Sequence, residues 1–366
     1  MYKIDKVDQI DTPALLVFPD LVKHNVDLAV KMCPDVQNLW PHIKTHKTKE
    51  VIEICQEAGI QNFKCATIAE AELLGICGAK RVLVAYQLVG IKINRFLALK
   101  NKFPTTHFAC LIDNLEVIDL YQKSADAFQT TIEVFIDINS GMNRTGIAPE
   151  NALALANKIL ETPSLNLLGI HVYDGHIRDS DIDVRTENCH IAFEKISQLK
   201  QNLENTYNIQ IELIVGGSPT FPIHAARKNV ICSPGTFVFW DYGYQISCPE
   251  QKFKPAIWIA TRVISIPDEK TICTDLGHKS VAAENTLDKR LHFLHEIDLK
   301  VISQSEEHLI LQSENEHHYK VGDILYALPY HVCPTVALYN DLQVVQNQEI
   351  TDEVWTVIAR SRKISI

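Results

Sequence analysis

Short apolar runs alternate with longer amphipathic stretches until about residue 240. Eight apolar runs predict strands, and they lie at residues 38–43, 62–66, 81–86, 107–112, 131–138, 165–173, 209–215 and 230–232. Apolar residues recur at helical spacing between them, as at residues 49–58, 68–77, 150–160 and 184–203. This alternation predicts parallel strands joined by crossover helices, and eight such units favour a (β/α)8 TIM-type barrel.

The pattern of apolar and polar residues changes beyond about residue 245. Runs rich in Val, Ile and Thr follow at residues 256–266, 271–275, 308–312, 323–327 and 353–360. They predict a mostly antiparallel β domain. We therefore expect a barrel domain over residues 19–245 and a β domain over residues 246–366, which the opening strand within residues 1–18 joins.

Composition narrows the possible functions. The chain has 366 residues, 46% of them hydrophobic, and a formal net charge of -10. This acidic balance argues against nucleic acid as a partner, because neutralising phosphates requires clustered Lys and Arg. No apolar stretch reaches the length of a signal peptide or a membrane span, so we expect a cytoplasmic protein without a membrane partner. The 10 cysteines show no CxxC pair and no disulfide spacing, which predicts reduced thiols.

The segment 40–48, with the sequence WPHIKTHKT, ends the first predicted strand. In a barrel, Lys44 would point into the pocket from the carboxyl end of that strand, where neighbouring cations and desolvation favour the free amine. A free amine at this position suits Schiff-base chemistry with a bound aldehyde. The alternative is a basic loop whose charges are solvated.

Two loops rich in glycine and hydroxyl groups follow the last two predicted strands. Gly216, Gly217 and Ser218 come after the seventh, and Gly235 and Thr236 come after the eighth. Barrels commonly bind phosphate at these two loops, because glycines let backbone amides converge on an anion. The alternative is a pair of ordinary turns.

Further polar residues follow the fifth and sixth strands. Arg144 lies in a glycine-bounded loop, from which a guanidinium could hold the phenolate oxygen of a cofactor. His171 and Tyr173 share one face of an extended segment and could line the pocket. The alternatives are a surface arginine and a core histidine beside a packing tyrosine.

A metal pair is predicted far downstream, in the segment PYHVCPTV over residues 329–336. If this segment is extended, His331 and Cys333 face the same side, and imidazole with thiolate suits Zn²⁺. A buried cysteine beside a polar histidine is the alternative.

Taken together, six motifs in this order resemble the D-threonine aldolase and D-serine dehydratase family, whose members share the N-terminal barrel of alanine racemase. The motifs are PHIKTHKT, SGMNRTG, YDGH, GGSPT, PGT and HVCPTV. The resemblance implies a lyase dependent on pyridoxal 5'-phosphate and a divalent metal, zinc, that acts on D-3-hydroxy amino acids. It also implies a homodimer.

The resemblance assigns roles to the same residues. Lys44 would carry pyridoxal phosphate, Arg144 would contact its phenolate oxygen, and Tyr173 would lie beside it. Gly216, Gly217 and Ser218 would hold the phosphate with Gly235 and Thr236 nearby, and His331 and Cys333 would bind the metal.

Two departures from the family pattern leave the reaction open. Trp40 stands where the family usually has arginine, and the pair His331-x-Cys333 is the form found in the dehydratases rather than the His-x-Asp of the aldolases. Retro-aldol cleavage and β-elimination are both retained. An amino-acid racemase and a non-catalytic pyridoxal phosphate carrier are the alternatives.

Overall fold

The computed structural model describes residues 4–294 and 298–366. The strands, in chain order, are β1 (Ala14–Val17), β2 (Asn62–Cys65), β3 (Arg81–Gln87), β4 (His107–Ile112), β5 (Ile132–Ile138), β6 (Leu165–Val172), β7 (Glu212–Val215), β8 (Ile231–Cys232), β9 (Ile257–Asp268), β10 (Thr271–Thr274), β11 (Leu291–Phe293), β12 (Lys300–Gln304), β13 (Leu309–Gln312), β14 (Ile324–Pro329), β15 (Asp341–Gln346) and β16 (Glu349–Thr356). The α-helices are α1 (Pro19–Met32), α2 (Lys49–Glu57), α3 (Ile68–Ile76), α4 (Ile91–Lys102), α5 (Ile118–Ala127), α6 (Ala152–Leu160), α7 (Ile182–Tyr207), α8 (Phe221–Ala225), α9 (Tyr242–Ser247) and α10 (Val332–Val336).

Strands β2 to β8 form a seven-stranded parallel sheet in chain order. Helices α3 to α7 connect successive strands of this sheet, as crossover connections between parallel strands require. The predicted barrel of alternating strands and helices is thereby confirmed.

The first predicted strand, at residues 38–43, is not a regular strand, although it fills the eighth position. Single parallel bridges join Leu39 to Cys232 and His42 to Lys64, so this segment links β8 to β2. Pro41 has no N–H to donate, which interrupts the ladder, while its carbonyl accepts a hydrogen bond from the Lys64 amide at 2.9 Å. The prediction of a continuous strand was wrong for this reason.

The barrel interior is filled by large apolar side chains that alternate along the strands. Trp40, Leu83, Leu111, Phe135 and Ile214 form one buried cluster. Such a packed interior leaves the loops at the carboxyl ends of the strands as the place for chemistry.

The second sheet has nine strands and is mostly antiparallel, as predicted. Its main path runs β12-β13-β10-β9-β1-β15-β16, and β14 pairs with both β9 and β11. The amino-terminal strand β1 lies between β9, to which it is antiparallel, and β15, to which it is parallel.

The chain divides into two compact units. One contains the described residues of Met1–Leu28, Thr45–Val51 and Thr236–Arg360, and the other contains Ala29–Lys44, Ile52–Gly235 and Ser361–Ile366. The last residues belong to the barrel unit because the buried carboxylate of Glu72 accepts hydrogen bonds from the backbone amides of Ser365 and Ile366, each at 3.1 Å. A single division at residue 245 stays a prediction.

None of the ten cysteines forms a disulfide bond. Eight of them are buried, whereas Cys77 and Cys333 are partly exposed. Within the described ranges, no helix has both the length and the hydropathy needed to cross a membrane.

Candidate active site

The turn that carries Lys44 is held by histidine rings. The backbone N–H of Lys44 donates to Nδ1 of His42 at 3.2 Å, and four residues later the N–H of Thr48 donates to Nδ1 of His46 at the same distance. Burial, followed by the charge of Lys47, lowers the pKa of His46 to about 3, so its ring is neutral. Both histidines therefore shape the backbone around Lys44.

Lys44 and Arg144 approach the same aromatic ring. The Lys44 Nζ lies 5.8 Å from the centroid of the Tyr173 ring, and the guanidinium carbon of Arg144 lies 5.1 Å from it. These residues follow three different strand positions of the barrel, so they meet only because the carboxyl ends of parallel strands share one face. The structure thus brings three predicted site residues together.

His171 is anchored by a carboxylate. Its Nδ1 lies 2.8 Å from Oδ1 of Asp137, and Gln87 donates to the other oxygen of Asp137 at 2.8 Å. Burial raises the pKa of Asp137, but the hydrogen bonds from His171 and Gln87 outweigh burial and lower it overall. An ionised carboxylate only accepts, so Nδ1 carries the proton. The buried Nε2 has no hydrogen-bond partner among the described residues.

The glycine loop after β7 adopts a conformation that a larger residue would strain. Gly216 has a φ of 83°, and a Cβ there would lie 2.8 Å from Cδ2 of His224. A Cβ on Gly217 would lie 3.1 Å from Cε2 of Tyr173. The backbone of this loop therefore passes directly beside the ring that Lys44 and Arg144 approach.

The two predicted phosphate loops lie against each other. Ser218 is buried, and its Oγ accepts a hydrogen bond from the Gly235 amide at 3.4 Å. Helix α8, which follows the first loop, has only five residues. Because this helix is so short, the hydrogen-bond donors that a phosphate would meet at these loops are backbone amides and hydroxyls.

A buried cluster that sequence reasoning missed holds the first loop from behind. Asp174, Cys189 and His224 each present a possible ligand atom, and these atoms lie within 4.8 Å of one another. Asp174 accepts hydrogen bonds from Thr220 and His224, each at 2.9 Å, and Thr220 in turn accepts from the Gly217 amide at 3.3 Å. This chain of contacts fixes the loop. No local spacing links residues 174, 189 and 224, so no sequence signal could have found it.

Lys64 is a second residue that the sequence did not single out. It lies on β2, its side chain is buried, and its amine donates to the hydroxyl of Ser233 after β8. A lysine between the apolar residues Phe63 and Cys65 of a predicted strand was the available signal.

The predicted geometry of the metal pair was wrong. His331 precedes helix α10 and Cys333 lies in its first turn, so the segment is not extended. The carboxylate of Asp241 accepts a hydrogen bond from the Val332 amide at 3.1 Å and thereby caps this helix. Pro334 is tolerated because the amides of a first helical turn need no partner within the helix.

His331 and Cys333 nevertheless interact. Burial lowers the pKa of His331, but hydrogen bonds with Cys333 and Glu284 outweigh burial and raise the pKa to about 9. The Cys333 sulfur lies 3.2 Å from the hydroxyl of Thr45 and 3.6 Å from that of Thr236. Thr236, predicted near a phosphate, thus contacts the thiol.

The residues present fit both groups that the sequence suggests. For an anionic aldehyde, the barrel unit offers an amine, a guanidinium on one ring and a glycine backbone that a Cβ would obstruct. For a divalent metal, the imidazole of His331 and the thiol of Cys333 are ligand types suited to zinc, and the carboxylate of Glu284, 2.5 Å from Nδ1 of His331, orients that imidazole.

Several proteins of known activity are similar to this chain over nearly its full length. A D-threonine aldolase of Arthrobacter sp is 24% identical over 97% of this chain and 94% of its own. A D-serine dehydratase of Dictyostelium discoideum is 21% identical over 94% and 95%. The crystal structure of a D-threonine aldolase from Filomicrobium marinum superposes with a TM-score of 0.87 at 24% identity, covering 97% and 96% of the two chains.

Two family profiles match consecutive parts of the chain. Residues 256–345 match the profile described as "Putative serine dehydratase domain". Residues 19–242, more than half of the chain, match the profile described as "Alanine racemase, N-terminal domain". The matched residues include the barrel, its glycine loops and the lysine at the end of its first strand position. The chain therefore belongs to the alanine racemase N-terminal domain family.

Proposed function

We propose that this protein is a pyridoxal-phosphate-dependent lyase that acts on D-3-hydroxy amino acids. The observation that carries the proposal is the approach of Lys44 and Arg144 to the Tyr173 ring, beside the glycine loop at Gly217. Relatives named as aldolases and dehydratases of D-hydroxy amino acids support the substrate class.

In this proposal Lys44 holds the cofactor covalently and Arg144 holds its phenolate oxygen. Gly216, Gly217 and Ser218, with the Gly235 amide nearby, hold its phosphate. Bound pyridoxal phosphate supplies an electron sink for the electron pair left at Cα when a bond to that carbon breaks. Tyr173 lies beside the cofactor, with its ring facing the Lys44 amine and the Arg144 guanidinium.

The bond that breaks at the substrate decides the reaction. Elimination begins with loss of the Cα proton, for which the Lys44 amine is the available base. Retro-aldol cleavage begins with loss of the β-hydroxyl proton and breaks Cα–Cβ. We propose that His331 and Cys333 hold a divalent metal, zinc, which supplies Lewis-acid chemistry when bound.

Each reaction has its own support. The aldolases among the relatives and solved structures favour Cα–Cβ cleavage. The His331-x-Cys333 pair, which resembles the dehydratases, favours β-elimination.

The test uses D-threonine, on which the two reactions give different products. The purified protein is loaded with pyridoxal phosphate and zinc, incubated with D-threonine, and the products are identified by NMR. Glycine with acetaldehyde establishes an aldolase, and 2-oxobutanoate with ammonia establishes a dehydratase. The assay is repeated with D-serine and with 3-hydroxy-D-aspartate, on which one of the relatives is named to act. If all three amino acids stay intact, the proposed lyase function is wrong.

The same incubation separates the lyase from the two alternatives. A racemase yields the L-amino acid without breaking the carbon skeleton, and a cofactor carrier yields no product at all. Lyase activity that disappears on treatment with a chelator and returns with zinc excludes the carrier and supports the proposed metal.

A further inference from the structure

Lys64 lies at the level at which the first strand position of the barrel ends. The Ile43 amide donates to the Lys64 carbonyl and the Lys64 amide donates to the Pro41 carbonyl, each at 2.9 Å. Lys64 is only 3% exposed, and its side chain reaches Ser233 after β8, on the other side of the first strand position. The amine thus reaches into the same unit that holds Lys44.

No carboxylate lies within ion-pair distance of this amine in the described part of the chain, where its hydrogen-bond partner is the neutral Ser233 hydroxyl. A buried ammonium without a counter-charge costs several kcal/mol, so such a group loses its proton or awaits an anion.

The surrounding charges act in both directions. Burial, and next the charge of Lys44, lower the pKa of Lys64 to about 7, and Arg144 lowers it further, whereas Asp137 and Asp174 raise it. At mildly alkaline pH the amine is therefore mostly neutral. A nearby anion would raise the pKa of Lys64, so that the amine takes up a proton when the anion binds.

Ser233 has an incompletely used proton. Its oxygen accepts from Lys64, while the acceptor that its own hydroxyl reaches among the described residues is the Gly216 carbonyl at 3.5 Å, the long limit for a hydrogen bond. The pair therefore presents an O–H donor that the amine polarises from behind. It stands beside the loop proposed to hold the phosphate.

We propose that Lys64 and Ser233 form a donor pair for the bound cofactor, and that Lys64 takes up one proton from solvent as the anionic cofactor binds. This inference rests on the proposed function. No bond forms between Lys64 and the cofactor, which stays attached to Lys44. The negative charge of the cofactor then compensates the buried ammonium.

The test measures binding of pyridoxal 5'-phosphate to the cofactor-free protein by titration calorimetry at pH 8, in buffers of different ionisation enthalpy. The difference in heat between buffers gives the protons taken up. We expect the wild-type protein to take up close to one proton more than Lys64→Met. Proton changes caused by attachment to Lys44 are common to both proteins and cancel.

Lys64→Met should also bind pyridoxal phosphate roughly 10- to 100-fold more weakly, as expected for loss of a charge-assisted hydrogen bond. The exposed Lys80, changed to Met, is the matched control and should behave as wild type. Ser233→Ala keeps the buried amine and tests the pair if Lys64→Met does not fold. It should weaken binding while retaining proton uptake.

Equal affinity and equal proton uptake in wild type and Lys64→Met overturn the inference alone, because cofactor binding itself is then intact. Unchanged affinity in Ser233→Ala removes Ser233 from the pair and contradicts the inference as stated. If the wild-type protein binds no pyridoxal phosphate, both the proposed function and this inference fail.

Discussion

Lys44 differs from the other lysines near it by where its side chain points. Its amine lies above the Tyr173 ring, and its backbone is fixed by His42. Replacement by alanine should abolish covalent attachment of pyridoxal phosphate because, in the described part of the chain, Lys44 is the lysine whose amine lies over that ring. The visible absorbance of the loaded protein reports this attachment directly.

Lys47→Ala is the matched control for that change. Lys47 lies three residues along the same turn, and its carbonyl, which accepts from the Ala359 amide, is unaffected by the substitution. It should retain the absorbance. A spectrum that survives Lys44→Ala would contradict the assignment of Lys44.

The sequence predicted those site residues whose position directly after a strand indicates that they lie in the pocket. Lys44, Arg144 and Tyr173 each follow a strand position of the barrel, and the barrel periodicity alone places such residues on one face. Lys64 escaped prediction because its partner, Ser233, is 169 positions away in the chain. Only closure of the barrel makes the two neighbours.

The loop after β7 is the element most sensitive to substitution. Gly216→Ala should destabilise the protein by about 1 to 3 kcal/mol, because Gly216 has a positive φ and the new Cβ would press on the His224 ring. It should also weaken retention of pyridoxal phosphate. Thermal unfolding and cofactor content measure the two effects.

Gly78→Ala separates backbone strain from crowding. Gly78 also has a positive φ, of 69°, but a Cβ there has nothing within 4 Å. Gly78→Ala should lower the free energy of unfolding by about 1 kcal/mol and leave the cofactor content normal. If the two substitutions behave alike, the contact with His224 has no consequence.

Helices and strands were predicted well where hydrophobic periodicity determines them. They were predicted poorly where a capping residue far away in the chain determines them. Helix α7, predicted over residues 184–203, spans Ile182–Tyr207, and Asp181 caps its first turn. By contrast, α10 depends on Asp241, a residue 91 positions earlier, so HVCPTV was interpreted as extended. Local patterns carry no information about such a partner.

The stability of the whole molecule should depend on His46 in acid. Its pKa is about 3 in the folded protein and near 6.5 when unfolded, so the unfolded chain binds the extra proton between these values. Stability conferred by the neutral ring is therefore lost as pH falls below about 6.5, by up to about 1.4 kcal/mol per pH unit.

His46→Asn, which keeps an acceptor near the position of Nδ1, should flatten this dependence while lowering stability at pH 8. Urea unfolding midpoints between pH 8 and pH 5 compare it with wild type. His107→Asn, at an exposed position, should leave the slope unchanged. Parallel slopes for wild type and His46→Asn would refute the contribution of His46.

The architecture of a barrel with a mostly antiparallel sheet followed from the sequence because each part has its own period along the chain. What the sequence did not predict is the irregular first strand position, where Pro41 removes one donor from the ladder. Strand β1 pairs with β9 and β15, which lie hundreds of positions further along the chain, and the sequence did not predict this pairing either.

The unequal exposure of the thiols provides a chemical reporter. Under native conditions a small alkylating reagent should label Cys77 and Cys333 first, since the other eight cysteines are buried. A zinc ion on Cys333 would shield that sulfur and leave Cys77 reactive as an internal reference. The ratio of the two labels, read by mass spectrometry, would then measure metal occupancy in a single unmodified sample.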